Sequence, residues 1–420
     1  MDGTDDNFQQ AVAAAEQELR ALFEPTPLQR NAFLSARYGG EVWLKREDLS
    51  PVRSFKIRGA FNAMRVALAA EPGRRRFVCA SAGNHAQGLA FACRHFGVEG
   101  VIFMPVTTPQ QKIDKTAQFG GGRVEIRLTG DYFDDTLRAA EAFCAASGAR
   151  FVPPFDDADV IAGQATCARE ILAQLPEGVV PDLVTVGVGG GGFAAGVVRY
   201  LDMASPGTEV RFVEPKGGAS LKRALAAGEL VTLNKVDNFV DGAAVARIGT
   251  LPFSILRRFP PERVTVVPED RICATMVELL NVEGVVLEPA GALALDALRD
   301  LAPLNGRTVV AIISGGNFDF ERLPDVKERA LHWEGRKRYY ILRLPQRPGA
   351  LREFLEVLGP DDDISRFEYL KKSARNFGSV LLGIETKARD NFEGLEARME
   401  AAGFSWIDIT EDAVITSLII

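Results

Sequence analysis

Lys56 is the side chain most suited to covalent chemistry, in the segment SFKIRGA at 54–60. A β-branched residue, Arg58 and Gly59 follow it at a predicted helix start. Most lysines are solvated, so a solvated lysine near a helix N-terminus is one interpretation. A lysine removed from water has a lowered pKa that suits Schiff-base formation. The segment alone leaves both interpretations open.

The segment SAGNHAQG at 81–88 directly follows the apolar run FVCAS. A strand that ends in small residues and enters a helix turns backbone N–H groups toward an anion. Ser81, Asn84 and His85 add side-chain donors that would suit a carboxylate or a phenolic oxygen. Asn84 could equally be a helix N-cap, and His85 a structural histidine.

Four consecutive glycines, at 189–192, follow the apolar run LVTVGV. Glycine lets the backbone approach a ligand closely, and at a strand-to-helix turn this geometry holds a phosphate. No GK[ST] follows, which excludes a P-loop, and the acidic ribose partner of a dinucleotide site is missing. A flexible linker is the alternative.

A third small-residue turn, IISGGN at 312–317, contains Ser314, which could hydrogen-bond a ring nitrogen or simply occupy a turn. Each of the three turns follows a predicted strand, and open α/β sheets bind ligands at the carboxyl ends of their strands. A reactive lysine, a phosphate cup and a ring-nitrogen partner together describe a site for pyridoxal phosphate.

The elements that must position these residues alternate along the chain. Strands are predicted at 77–81, 101–105, 124–128, 183–188, 210–215, 264–268 and 309–314. Helices are predicted at 7–23, 57–70, 84–96, 109–119, 131–147, 160–175 and 290–300. This alternation predicts a doubly wound α/β architecture with parallel sheets. After about residue 330 the pattern becomes strand–loop–helix–strand–strand–helix–strand, typical of an α+β ferredoxin-like module.

Composition excludes several classes of function. The 420 residues are 47% hydrophobic and 25% charged with a net charge of −7, which is ordinary for a globular chain and unfavourable for binding nucleic acid or anionic lipid. Five scattered cysteines and three histidines argue against a disulfide framework and a histidine metal site. No signal peptide or apolar run of membrane-spanning length is seen, so a cytoplasmic protein without a membrane segment is expected.

A family resemblance rests on these motifs in order. They are PTPL at 25–28, KREDLSPVRSFKIRGAF at 45–61, SAGNHAQG, the four glycines, EPAGA at 288–292 and SGGN. In them the chain resembles the threonine dehydratases, members of the tryptophan-synthase-β-like (fold type II) group of pyridoxal-phosphate enzymes. The segment RPGALREFLEVLGPDDDISRFEY at 347–369 resembles the single ACT-like regulatory domain of the shorter biosynthetic enzymes.

The resemblance implies a domain organisation. A large cofactor-binding catalytic domain would comprise residues 1–44 and 154–330, with a small catalytic domain at 45–153 nested in it. A linker at 331–338 would lead to an ACT-like domain at 339–420.

The resemblance also implies roles for individual residues. Lys56 would carry the cofactor as a Schiff base and act as acid and base at the substrate Cα, and Phe55 would pack by the cofactor ring. Asn84 would bind the phenolic oxygen, Ser314 would face the pyridine nitrogen, and the phosphate would be held by Gly189, Gly190, Gly191 and Gly192. The substrate carboxylate would be held by Ser81, Gly83, Asn84 and His85.

The implied activity is β-elimination on L-threonine to 2-oxobutanoate and ammonia, the first step of isoleucine biosynthesis, with L-serine as a secondary substrate. Isoleucine would inhibit and valine would counteract it, at an effector site formed by Pro348, Gly349, Ala350, Leu351, Phe367 and Tyr369. A purely structural dimerisation module is the alternative for this region. The family also implies a homo-oligomer, a tetramer.

Rival functions remain open at this stage. A catabolic threonine/serine dehydratase is the main alternative, and the C-terminal module argues against it. Cysteine and threonine synthases differ at Ile57 and in the GNH sequence, and Ala82 lacks the hydroxyl with which serine racemases act on the opposite ring face. A catalytically inactive amino-acid sensor would lack the chemical residues that are present here. The resemblance implies that Glu214 could contact a cation, as in some relatives, but one carboxylate is a weak signal and a solvated strand-end glutamate is expected.

Overall fold

The computed structural model describes residues 3–370 and 376–412, which divide into two compact units. The first unit comprises the described residues up to Glu269 together with Val285–Phe318. The second comprises Asp270–Gly284 together with the described residues from Asp319 onward.

The bounds of the elements are as follows. The helices are α1 Gly3–Leu19, α2 Ala32–Tyr38, α3 Lys56–Ala70, α4 Asn84–Phe96, α5 Gln110–Gly120, α6 Phe133–Ser147, α7 Ala158–Gln174, α8 Gly192–Ala204, α9 Ser220–Ala227, α10 Thr250–Leu256, α11 Glu269–Glu283, α12 Pro289–Asp296, α13 Leu298–Leu301, α14 Leu323–Trp333, α15 Ala350–Leu355 and α16 Asn391–Ala401. The strands are β1 Leu28–Arg30, β2 Glu41–Arg46, β3 Arg76–Ala80, β4 Glu99–Met104, β5 Val124–Leu128, β6 Arg150–Phe151, β7 Leu183–Gly187, β8 Glu209–Pro215, β9 Val264–Val267, β10 Thr308–Ile313, β11 Lys337–Pro345, β12 Asp362–Leu370, β13 Phe377–Thr386 and β14 Ser405–Asp408.

The larger of the two sheets in the first unit has six strands in the order β1-β2-β10-β7-β8-β9. We call this sheet with its helices the six-stranded layer. Only β1 runs antiparallel to its neighbour. The central strands β7 and β10 are almost continuously apolar and buried. That composition is typical of parallel strands covered on both faces. Residues of α7 and α8 share one core with these strands, and Thr185 on β7 donates to the Ala294 carbonyl of α12 at 3.0 Å.

The second layer is a parallel four-stranded sheet of order β5-β4-β3-β6. Helices α3, α4 and α5 contribute to the core on one face, and α6 contributes to the core on the other. The two parallel sheets confirm the predicted doubly wound α/β class. Residues 81–85 follow β3, the four glycines follow β7, and Ser314 follows β10.

The second unit contains an antiparallel sheet of order β12-β13-β11-β14. Its chain order is β11-α15-β12-β13-α16-β14, which is the predicted ferredoxin-like arrangement. Tyr340, Leu342, Leu382 and Phe392 are fully buried in its core. Residues of α11 and α14 also belong to this unit, where Asp270 lies 3.2 Å from both Arg329 and His332.

Three strands of the first unit were missing from the sequence prediction, and one of them, β6, spans only two residues. β1 spans only three residues, and β2 (EVWLKR) carries charged residues that obscure its pattern. Lys45 of β2 is fully buried, because Glu170 pairs with it at 2.7 Å. The predicted strands that follow β2 correspond to β3, β4, β5, β7, β8, β9 and β10, with ends shifted by at most a few residues.

The predicted linker at 331–338 is largely regular structure. Its first three residues complete α14, its last two begin β11, and only residues 334–336 connect them. The division into a large and a small catalytic domain stays a prediction.

Within the part of the chain that the structure describes, no helix combines the length and the apolar character needed to cross a membrane. The five cysteines are free thiols, and four of them are buried.

Candidate active site

A cavity lies at the carboxyl ends of β7 and β10, beside the first residues of α3 and α8. Its walls combine an amine, a serine hydroxyl, three phenylalanine rings and a glycine-rich backbone. The lining residues are Phe55, Lys56, Phe155, Gly187, Gly189, Gly190, Gly191, Gly192, Phe193, Ala194, Gly242, Ala243, Ala290, Leu293 and Ser314.

Lys56 is the first residue of α3 and lines this cavity. Its Nζ donates to the Pro154 carbonyl at 3.0 Å and lies 5.2 Å from the centre of the Phe55 ring. Burial lowers the pKa of Lys56 to about 8, against an opposing attraction from the Glu288 carboxyl group. The centres of the Phe55 and Phe193 rings are 4.0 Å apart in a stacked arrangement, so packing holds the aromatic ring that lies beside the amine.

The four glycines form a turn that only glycine can make. Gly191 has a φ of 88°, in the left-handed region that other residues avoid. An added Cβ would overlap the Phe155 ring at Gly190 and would lie 2.5 Å from the Phe155 carbonyl oxygen at Gly192. The turn leads straight into α8, a helix of 13 residues. A backbone cradle at such a helix start favours an anion.

Ser314, which directly follows β10, also lines the cavity. It is 6% exposed, and its Oγ donates to the Ala290 carbonyl at 3.1 Å. Its own carbonyl accepts from the Phe55 N–H at 3.1 Å, which ties the β10 end to the residue before Lys56. Ser314 therefore places an uncharged hydroxyl, which is hydrogen-bonded to the backbone, in the cavity wall.

The segment 81–85 lies outside the cavity lining. Gly83 precedes α4, and Asn84 is its first residue rather than its cap. His85 is buried, its Nε2 lies 2.8 Å from the Val152 carbonyl, and burial lowers its pKa to about 3, helped by the nearby charge of Lys56. Ser81 Oγ accepts from the Gly83 N–H at 3.2 Å.

Asn84 makes contacts that the sequence did not reveal. Its Nδ2 donates to Glu288 Oε1 at 2.7 Å, and its Oδ1 accepts from Asn317 Nδ2 at 2.6 Å. Lys115 Nζ in turn donates to Asn317 Oδ1. Burial raises the pKa of Glu288 to about 7, and Asp241 adds to the increase. The motif EPAGA was the one sequence signal for Glu288, and no pattern indicated Phe155.

Comparisons with known proteins agree with this geometry. The family model of pyridoxal-phosphate dependent enzymes matches residues 19–315, and the model of the C-terminal regulatory domain of threonine dehydratase matches residues 328–419. The biosynthetic L-threonine dehydratase IlvA of Bacillus subtilis is 47% identical over 413 residues, which is 97% of this chain and 96% of that protein. The chain belongs to the biosynthetic threonine dehydratases.

Solved structures resemble this threonine dehydratase chain in fold. The processed form of threonine deaminase isoform 2 from Solanum lycopersicum is 35% identical with a TM-score of 0.73, covering 79% of this chain and 94% of that one. A pyridoxal 5'-phosphate-dependent aspartate racemase is 29% identical with a TM-score of 0.70, covering 75% and 97%. Different reactions therefore share this fold, and the reaction has to be argued from side chains.

The threonine dehydratases are pyridoxal-phosphate enzymes, and the cavity fits that cofactor. The glycine turn leaves room at an anion-favouring helix start, the Lys56 amine lies in the same cavity, and the Ser314 hydroxyl faces it.

The expectation of a solvated Glu214 is wrong. Its side chain is fully buried, where Oε1 accepts from the Leu221 N–H at 2.7 Å and Oε2 from the Lys222 N–H at 2.9 Å, so it caps α9. Burial raises its pKa to about 8. Among the described residues, no cluster of three or more acidic, histidine or cysteine side chains could hold a metal ion.

The six residues predicted for the effector site lie in the second unit. Gly349, with a φ of 89°, precedes α15, and Ala350 and Leu351 form its first turn. Phe367 and Tyr369 lie on β12, which runs parallel to β11 across β13, so the loop after β11 and the end of β12 share one end of the sheet. Tyr369 packs over Gly378, where an added Cβ would lie 2.5 Å from the ring. The structure contains no effector, and the site stays a prediction.

Proposed function

We propose that this chain converts L-threonine to 2-oxobutanoate and ammonia by pyridoxal-phosphate-dependent β-elimination, with Lys56 as its catalytic residue. The observation that carries the proposal is a single cavity in which a lysine amine with a lowered pKa lies beside a four-glycine turn at a helix start. L-serine is a secondary substrate, because one methyl group contributes only about 1–3 kcal/mol of discrimination in an apolar pocket.

The lowered pKa of Lys56 allows its amine to act as a base near neutral pH. Bound pyridoxal phosphate supplies the electron sink that acidifies the Cα proton of an amino acid. With a pKa of about 8, Lys56 is partly neutral near pH 7.5 and can accept that proton, whereas an ordinary lysine is almost fully protonated there. The uncharged Ser314 hydroxyl places no carboxylate against the ring nitrogen, which moderates the sink and favours elimination over transamination.

The segment after β3 is the substrate-binding part of the proposal. Ser81, Gly83, Asn84 and His85 hold the substrate carboxylate at the start of α4, a helix of 13 residues whose N-terminus favours an anion. His85, with a pKa of about 3, is neutral, and its ring N–H is used by the Val152 carbonyl, so its backbone N–H is the donor that can face the carboxylate. Asn84 also donates to the phenolic oxygen of the cofactor.

The regulatory region favours a biosynthetic role over a catabolic one. The match to the regulatory domain of threonine dehydratase spans residues 328–419, and the relative from Bacillus subtilis is named as the biosynthetic enzyme. Isoleucine inhibits and valine counteracts it in our proposal, and the protein acts in the cytoplasm as a homotetramer.

The test is 2-oxo acid release from L-threonine by cofactor-loaded protein. Lys56→Ala should reduce kcat by about 100-fold or more, since a positioned general base contributes about that much. Lys235→Ala, at an exposed lysine, is the matched control. Absence of 2-oxo acid with the unmodified chain, or full turnover by Lys56→Ala, would refute the proposal. Repeating the assay with isoleucine tests the regulatory part separately.

A further inference from the structure

A directional chain of hydrogen bonds runs from Lys115 through Asn317 and Asn84 to Glu288. Lys115 Nζ donates to Asn317 Oδ1, Asn317 Nδ2 donates to Asn84 Oδ1, and Asn84 Nδ2 donates to Glu288 Oε1. Asn317 Nδ2 also donates to the Val52 carbonyl at 2.8 Å.

The two ends of this series of hydrogen bonds, Lys115 and Glu288, determine the orientation of both amides. An ammonium group can only donate, so Asn317 must present its oxygen to Lys115 and its nitrogen to Asn84. Asn84 must then present its oxygen to Asn317 and its nitrogen to the Glu288 carboxyl group. With its carbonyl oxygen turned toward Asn317 and one N–H toward Glu288, Asn84 keeps its second N–H available to donate to a ligand.

The partners alternate between the two layers of the first unit. Lys115 and Asn84 lie on α5 and α4 of the four-stranded layer, whereas Asn317 and Glu288 follow β10 and precede α12 of the six-stranded layer. Asn84 and Glu288 are 204 residues apart in sequence. The amide orientation is therefore set only when the two layers are in their observed arrangement.

The backbone leaves space for the Glu288 carboxyl group. An added Cβ on Gly315 would overlap Glu288 Oε1, so the carboxyl group in its observed position uses space that the glycine leaves open. Glu288 is 7% exposed, and its carboxyl group accepts a hydrogen bond from the neutral Asn84 amide at 2.7 Å. A buried carboxyl group bonded to a neutral amide is costly, which argues for a functional reason to keep it.

We propose that Glu288 is a positioning residue, which together with Asn317 holds Asn84 with its free N–H available to donate to the phenolic oxygen of the bound cofactor. This inference rests on the proposed function, because it assigns Asn84 to that cofactor. The charged groups that face Glu288 are Asp241, Lys112 and Lys115, and it also acts on Lys56. Lys112 pairs with Asp241 at 2.6 Å, which partly cancels their separate effects.

Absorption spectra of the cofactor-loaded protein test the proposal without relying on turnover. Glu288→Ala removes one of the two hydrogen bonds that orient the Asn84 amide, so the absorption maximum of the bound cofactor should shift and the dissociation constant for pyridoxal phosphate should rise about 10-fold, the effect of one lost hydrogen bond to a charged group. For L-threonine, kcat should fall about 10-fold or more with little change in KM.

Glu288→Gln is the conservative variant that separates orientation from charge. Its amide oxygen can still accept from Asn84, so the absorption maximum and the cofactor affinity should stay close to those of the unmodified chain. The carboxyl titration is lost, so any inflection near pH 7 in the spectrum or in kcat should disappear. Glu262→Gln, at an exposed glutamate, should change neither.

Wild-type spectra and kcat in Glu288→Ala would overturn the inference, as would equal impairment of the Ala and Gln variants. If Glu288→Ala does not fold, Lys115→Met decides, because it removes the donor that sets the direction of the chain. A spectral shift in the same direction supports the inference, and an unchanged spectrum overturns it. Failure of the unmodified chain to bind the cofactor or release 2-oxo acid would instead refute the proposed function.

Discussion

Three ionisable groups around the candidate site have pKa values moved by burial toward their neutral forms. The pKa of Lys56 falls to about 8 and that of His85 to about 3, while that of Glu288 rises to about 7. Desolvation is the largest cause in each case, since removal from water penalises the charged form. Perturbed pKa values in a cavity are typical of active sites.

Lys56→Met should stabilise the cofactor-free protein at pH 7, because it removes a buried amine. The folded state has a pKa of about 8 and an unfolded lysine about 10.4, so the unfolded state binds more protons between these values. The destabilisation by Lys56 is therefore complete below pH 8 and fades toward pH 10.5. Urea midpoints at pH 7 and pH 10.5 measure it, with Lys235→Met as control, and an equal gain at both pH values would contradict this reasoning.

At the scale of elements, the turn between β7 and α8 depends on a close approach of two segments. Phe155 occupies the space that any side chain at Gly190 would need. The phenylalanine lies 35 positions before this glycine, so no local pattern links them. The turn is thus shaped by its own backbone and by the ring of a residue that is distant in sequence.

Gly190→Ala should weaken cofactor binding by about 10-fold or more, because its Cβ and the Phe155 ring cannot both keep their places. Gly207→Ala is the matched control, since an added Cβ there meets nothing within 4 Å. Titration of the cofactor-free variants with pyridoxal phosphate measures the difference. Equal affinities of the two variants would show that the turn tolerates a side chain.

Helix α9 is capped by a buried carboxyl group, and this predicts a dependence of stability on pH. The pKa of Glu214 is about 8 in the folded state and near 4.5 when unfolded, so the folded state binds more protons between these values. Stability from this group is full below pH 4.5 and is lost as the pH rises through 8. Glu214→Gln should therefore gain stability relative to the unmodified chain as the pH rises from 5 to 8. Urea unfolding at both pH values measures the difference in stability between Glu214→Gln and the unmodified chain, with Glu262→Gln as the control. A difference that does not change with pH would contradict this reasoning.

At the scale of the whole molecule, one chain combines a match to the pyridoxal-phosphate dependent enzymes with a match to the regulatory domain of threonine dehydratase. An effector that lowers the affinity for threonine must itself bind more weakly when threonine is present. This reciprocity gives two independent measurements of one coupling free energy.

Tyr369→Ala should reduce inhibition by isoleucine while kcat without isoleucine stays unchanged, because the half-exposed ring lies at the same end of the sheet as the predicted effector loop and far along the chain from Lys56. Tyr132→Ala, at a tyrosine that is 76% exposed in the first unit, is the control. Inhibition curves for both variants, with calorimetric binding of isoleucine, test the prediction. Unchanged inhibition in Tyr369→Ala would place the effector elsewhere.

The sequence by itself determined the order and type of most elements, the small-residue turns at strand ends and the kind of cofactor they suit. Apolar periodicity and glycine content act over a few residues, so they can be read from the printed chain. Glu288, Asn317 and Phe155 could not be found in that way, and Glu214 was expected to be solvated. Partners more than two hundred residues apart, such as Asn84 and Glu288, meet only after both layers have folded. Tertiary structure alone decides which polar side chains are buried together, because burial and pairing depend on packing between distant segments and not on local pattern.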